Sequence, residues 1–105
     1  MWQIVRKQIR PNLDVPFFSM QTDLLSNEFK QHWRETYMQS DKLIYIHAEP
    51  SEDNLSLSIT MIWDSRESVD AMLADPIVQE NLLTIKNAYL EQNGIVEIVE
   101  LNQEV

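Results

Sequence analysis

The stretch that most constrains how this chain can fold runs from Leu55 to Pro76, LSLSITMIWDSRESVDAMLADP. In its first half Leu55, Leu57, Ile59, Met61 and Trp63 fall on one face, and Ser56, Ser58, Thr60 and Ile62 on the other. A period of two is that of a strand, here with one apolar and one largely polar face. Asp64-Ser65 ends the strand and opens a helix. Asp64 with Glu67 three residues on reads as a capping box, its carboxylate accepting from free amides of the first turn. Further on, Asp75-Pro76 interrupts that helix and suits an N-cap followed by a first helical position.

The rest of the chain arranges itself around this unit. Trp2 to Ile9 predicts a strand with two mixed faces, one carrying Trp2, Ile4, Arg6 and Gln8 and the other Gln3, Val5, Lys7 and Ile9. Residues 11–16 predict a loop, because prolines at both ends disfavour helix just before each. Between Thr22 and Ser40 the period becomes helical, with Leu25, Phe29, Trp33 and Tyr37 on one stripe, and with Asp23 or Ser26 as cap. Lys42 to Glu49 predicts a second strand, Leu43, Tyr45, His47 and Glu49 on one face and Ile44, Ile46 and Ala48 on the other. The polar turn 50–54 joins it to the Leu55 strand as a hairpin.

After Ser65 the pattern turns Val69, Met72 and Leu73 inward. A second helix is expected from Pro76 to about Gln92, with Ile77, Leu82, Ile85 and Tyr89 buried and Val78 and Ala88 flanking. It closes at Asn93-Gly94, the single glycine standing where a helix end wants a left-handed residue. Ile95 to Leu101 predicts the last strand. The order strand, helix, strand, strand, helix, strand fits an α+β fold of ferredoxin-like βαββαβ type, a four-stranded sheet with its helices on one face. The opposite face must then meet solvent or a partner.

Composition narrows the function classes. A chain of 105 residues predicts one domain over 1–105 with one modest core. Without cysteine there is neither a disulfide framework nor a thiolate metal site, and one glycine cannot build a glycine-rich phosphate loop. No paired histidines or Asp-rich loop occur, so no metal is expected. Eight basic against 17 acidic side chains give a formal charge of -9, which repels phosphate backbones and argues against nucleic acid. No run approaches the ~20 apolar residues of a membrane span, and the first residues lack a signal-peptide pattern, so a cytoplasmic protein is the expectation. Arg6, Lys7 and Arg10 near the start and Glu97, Glu100 and Glu104 near the end are expected to pair if the outer strands are neighbours.

The strand ending in Trp63, the helix start Asp64-Ser65-Arg66-Glu67 and the later Asp75-Pro76 resemble the pattern of the dimeric α+β barrel proteins, in particular the antibiotic-biosynthesis-monooxygenase-like domains. The resemblance implies a homodimer whose sheets pack face to face, and a pocket between each sheet and its helices. In catalytic members of that family the pocket takes a small aromatic or other apolar substrate, often without cofactor, so no cofactor is expected here. Haem-degrading relatives place a Trp and a His ligand at positions that, by spacing from Trp63, hold Met72 and Leu82 in this chain, which disfavours haem degradation. Quinol-oxidising relatives use an Asn where this chain has Ile59.

Six side chains stand out as site candidates. His47, flanked by Tyr45 and Glu49 on its strand face, carries an imidazole, a side chain suited to proton transfer on a phenolic or enolisable substrate. Residues two apart on a strand are about 7 Å apart, so direct contact is not assured and a structural or dimer-contact role for His47 is the more expected one. Arg6 could steady an oxyanion. Trp63, Trp33 and Phe29 would line the substrate pocket, although an aromatic stripe at helical spacing is also what a core requires. His32, at the edge of that stripe, reads as a helix-surface residue. Two functions stay open: a cofactor-independent monooxygenase or isomerase acting on a small aromatic or quinol-like molecule, and a non-catalytic small-molecule-binding or dimerisation module. Convergence of Tyr45, His47 and Arg6 on one concave pocket would favour the first, and contacts at the dimer seam the second.

Overall fold

In the computed structural model, which describes residues 1–105, four strands form one antiparallel sheet in the order β2-β3-β1-β4. They are β1 (Trp2–Ile9), β2 (Leu43–Pro50), β3 (Ser56–Trp63) and β4 (Val96–Glu104). The helices are α1 (Asn27–Trp33), α2 (Arg66–Ala74) and α3 (Thr84–Gln92). The expected ferredoxin-like α+β order is therefore present, with the alternating β3 strand in the interior of the sheet. No helix is long and apolar enough to cross a membrane.

Register decides which side chains face the helices. Trp2, Ile4, Arg6 and Gln8 of β1 pair with Trp63, Met61, Ile59 and Leu57 of β3, and this shared face carries the core. A bulge in β2 corrects the expected alternation there. Leu43 pairs with Trp63 and is buried, whereas Tyr45, His47 and Glu49 pair with Ile62, Thr60 and Ser58 on the outer face. The extra residue, Ile44, re-phases the strand, so Leu43 joins Ile46 and Ala48 on the helix side. A second bulge, in β4, sets Leu101 opposite Val5 and Asn102 opposite Ile4.

Helix starts and ends follow short-range chemistry. Ser26, one of the two expected caps, accepts from the Phe29 amide at 3.1 Å. At α2 the cap is Ser65, not Asp64: the Ser65 hydroxyl accepts from the Ser68 amide at 3.2 Å and donates to the Asp64 carboxylate. The serine sits one residue closer to the first free amides, which displaces the expected Asp64/Glu67 box. Asp75 does cap the next helical run, its Oδ1 accepting from the Ile77 amide at 2.9 Å. Gly94 closes α3 at φ +67°, and Ile95 N donates to Leu90 O at 2.9 Å, the Schellman arrangement.

Two wide π-helical turns, Arg34–Met38 after α1 and Val78–Leu83 before α3, were not foreseen. The first has a clear reason. Four-residue spacing advances about 40° per step on a 3.6-residue helix, and a wider turn brings the stripe back. Tyr37, which lies in that turn, is accordingly buried with Phe29 and Trp33, and Leu25, just ahead of α1, is buried as well. Along the second, Val78, Leu82 and then Leu90 are buried, while Ile77, expected in the buried stripe, is exposed and the flanking Val78 is fully buried instead. In α2, Val69 and Met72 are buried, and Leu73, 38% exposed, borders the space between helices and sheet.

The charged side chains do not pair across the sheet as expected. Glu97 binds Lys86 at 2.9 Å, and Glu104 binds the N-terminal amine at 2.9 Å. Arg10 donates to Asn54 O and Val15 O and lies over the Phe17 ring, clamping the loop after β1.

Candidate functional site

Between the sheet and the helices lies a cavity of about 250 Å³. Its floor is the helix-facing row of β1 and β3 (Ile4, Arg6, Ile59 and Met61), and its walls include Met72 of α2 and Leu82. The loop after β1 supplies another wall, through Phe18 to Gln21. That wall is held by Gln8, which is only 1% exposed. Its Nε2 donates to Phe18 O at 3.1 Å, and its Oε1 accepts from Phe18 N at 2.9 Å. A buried amide needs both its donor and its acceptor matched, and here one backbone residue matches both. Tyr89 secures the same loop by donating to Pro16 O at 2.6 Å and packing on Phe18.

The polar groups around this largely apolar space are few. Lys86 and Glu97 form the ion pair just described and neutralise each other, with side chains 15% and 18% exposed. Arg6 is flanked by Ile59 and Val99 in the sheet register, and its guanidinium makes no ion pair or hydrogen bond within the chain. It is the one uncompensated charge on the cavity wall.

Of the six sequence-derived candidates, Arg6 and Trp33 line this cavity. Tyr45 and His47 stand on the outer face of the sheet, stacked with ring centroids 6.3 Å apart, and Glu49 lies 4.0 Å from His47. Arg6 and the His47–Tyr45 pair therefore do not converge on one pocket, because strand alternation puts them on opposite sides. Trp63 and Phe29 are core residues, 0% and 2% exposed, and neither touches the cavity. Trp33 and Tyr37 pack nearly edge-on against the Trp63 indole, whose N–H has no hydrogen-bond acceptor. Ile59, Met72 and Leu82, the three positions singled out by the family resemblance, all reach the cavity wall with apolar side chains.

A second polar cluster was not foreseen. Asp75 Oδ2 accepts from Tyr37 OH at 2.5 Å and from His32 Nε2 at 2.7 Å, while Oδ1 takes the Ile77 amide. His32 is thus a partly buried partner of Asp75 rather than a free surface residue. Burial pushes the Asp75 carboxyl up, but the Tyr37, His32 and Ile77 hydrogen bonds together outweigh it and hold the group below its ordinary value. Burial, reinforced by the adjacent Asp75 carboxylate, pushes the Tyr37 phenol far above its ordinary value. The sequence signal for this cluster was limited to the Asp-Pro helix start. Residues 38 and 43 positions apart give no pattern along the chain. No three His, Asp or Glu side chains gather closely enough to hold a metal ion.

No protein-family model matches the sequence, and no curated protein matches it. Among solved structures, the chain resembles a presumed antibiotic biosynthesis monooxygenase from Deinococcus radiodurans, with a TM-score of 0.59 and 16% identity, over 100% of this chain and 92% of that one. Rv0793 from Mycobacterium tuberculosis aligns over 100% and 98% of the two chains at a TM-score of 0.48 and 14% identity. The protein YJCS aligns over 100% and 99% at 0.40 and 15%. The chain has an antibiotic-biosynthesis-monooxygenase-like α+β fold.

Proposed function

We propose that this chain is a small-molecule-binding domain of the dimeric α+β barrel type, which holds a small, mainly apolar molecule between its sheet and helices. The observation that carries the reading is the cavity itself, about 250 Å³ with a mostly apolar lining and one free guanidinium. Tyr45 and His47 belong, in this reading, to a homodimer seam on the outer sheet face. Tyr45, Val96 and Ile98 are 48%, 57% and 43% exposed there, beside Val5, Ile62 and Leu101. The separation of His47 from Arg6 favours binding over proton-transfer chemistry at this cavity.

A second reading is oxidation of a quinol-like molecule without cofactor. It is supported by Arg6 and Trp33 lining one cavity, since an aromatic wall beside a guanidinium suits a phenol that becomes a phenolate. The D. radiodurans neighbour, named for monooxygenase activity, supplies that analogy.

The test is a thermal-shift screen with small phenols and quinols on the wild type, on Ala48→Trp at the cavity wall and on His47→Ala on the outer face. A ligand at 100 times its Kd raises stability by about 2.7 kcal/mol. The expected pattern is stabilisation that disappears in Ala48→Trp and survives in His47→Ala. Loss in His47→Ala alone would contradict the assignment. Oxygen uptake with a stabilising quinol separates the second reading from the first, and a light-scattering mass of a monomer would refute the dimer.

A further inference from the structure

The polar groups of the cavity wall differ in whether their hydrogen-bonding capacity is already spent within the chain. Gln8 is bound at both ends to Phe18. The Ser19 oxygen accepts from the Gln21 backbone N–H at 3.1 Å and keeps only its own neutral O–H to offer. Glu97, the one carboxylate on the wall, is engaged by Lys86 at 2.9 Å. That ion pair leaves Arg6 with no anion of its own, among Ile4, Ile59, Met61 and Val99. A cation on an apolar wall loses hydration without recovering it from a partner, and a carboxylate or phenolate arriving there would supply the missing interaction. The charges lining the space sum to +1, in a chain whose total is -9. The positive sign is thus local to the cavity, which selects an anion against the long-range field of the protein.

We infer that the ligand is an amphiphilic monoanion, an aromatic or alicyclic carboxylate or phenolate, whose anionic group docks on the Arg6 guanidinium while its apolar body lies against Phe18, Met61 and Leu82. This assignment rests on the binding reading above and adds the charge and orientation of the ligand. A guanidinium can supply two parallel N–H donors to a carboxylate, a geometry that lysine cannot reproduce. Dianions are disfavoured, because the wall offers one free cation and the only other cation is committed to Glu97. Zwitterions are disfavoured as well, since their ammonium would meet apolar side chains.

The experiment is calorimetric titration of the full chain with two matched pairs, 2-naphthoate against 2-naphthamide and cyclohexanecarboxylate against its carboxamide. The variants are Arg6→Gln and Arg6→Lys, with circular dichroism as the check on folding. A hydrogen bond to a charged group corresponds to roughly a 10- to 100-fold preference. The wild type should therefore bind each anion about that much more tightly than its amide. In Arg6→Gln the ratio should fall to near one, with amide affinity retained, and Arg6→Lys should recover part of the preference.

The anion-to-amide ratio in the wild type is informative by itself if a variant fails to fold. Equal affinity for anion and amide would overturn this inference and leave the cavity reading standing. No binding of any of the four molecules at millimolar concentration would overturn both. A preference that persists in Arg6→Gln would overturn the assignment to Arg6.

Discussion

Removing the Tyr37 hydroxyl isolates the cluster that joins the first helical segment to the α2–α3 corner. In Tyr37→Phe the ring remains packed against Trp33 and Trp63, so the change is confined to the bond from Tyr37 OH to Asp75 Oδ2. A hydrogen bond to a charged group contributes about 1.5–3 kcal/mol. Asp75 would keep its bonds from His32 and Ile77, so a loss of about 2 kcal/mol is expected, a fall in Tm of roughly 8–16 °C for a domain of this size.

The pH dependence carries its own sign. The Asp75 carboxyl is held below its ordinary 3.8, so its stabilisation is present above that pH and is lost as pH falls through the folded value. Without the phenol donor the folded value rises, and acid unfolding should begin at higher pH. The Tyr37 phenol is pushed above its ordinary 10.0, so the wild type loses stability as pH climbs past 10 and unfolded tyrosine ionises. The variant should lose that part of the alkaline slope. Urea unfolding from pH 2 to 11 reads all three effects. A cost below about 0.5 kcal/mol with unshifted acid and alkaline limbs would refute the argument.

Three further outcomes follow from local geometry. Gly94→Ala meets only an ordinary 3.7 Å contact with Pro11, so its cost is the left-handed backbone, about 1 kcal/mol by thermal unfolding. Ser65→Ala removes the α2 cap and should cost about 1 kcal/mol, whereas Asp64→Ala should cost less, by the same assay. Lys86→Met leaves Glu97 unpaired and should cost about 2–3 kcal/mol in urea unfolding, and Lys86→Met with Glu97→Leu should recover most of it.

The parts of this fold that are legible along the chain are those governed by short-range periodicity. The alternation of Leu57, Ile59, Met61 and Trp63 states which face of β3 meets the helices, and that face does. The spacing of Leu25, Phe29, Trp33 and Tyr37 marks a buried stripe, and the lone glycine marks the end of α3. What was hidden depends on insertions that leave no periodic trace. The Ile44 bulge moves Leu43 to the core side, and at the start of the Val78–Leu83 turn Val78 is buried in place of Ile77. At the site, Arg6 and Ile59 could be placed on one face once β1 and β3 were neighbours. The loop wall around Phe18 could not, because it depends on one buried glutamine eight residues into the chain. His47 and Tyr45 looked chemically promising as neighbours on a strand. Alternation alone separated them from Arg6, and only the sheet order decides which face is covered.

The measurement that tests the central claim most directly is methyl NMR of the chain titrated with 2-naphthoate. Occupation of the cavity predicts shifts at the Ile59, Met61, Met72 and Leu82 methyls, with the Val5 and Ile62 methyls on the outer sheet face unmoved. Shifts confined to Val5 and Ile62, or no shifts at millimolar ligand, would contradict a ligand site between sheet and helices.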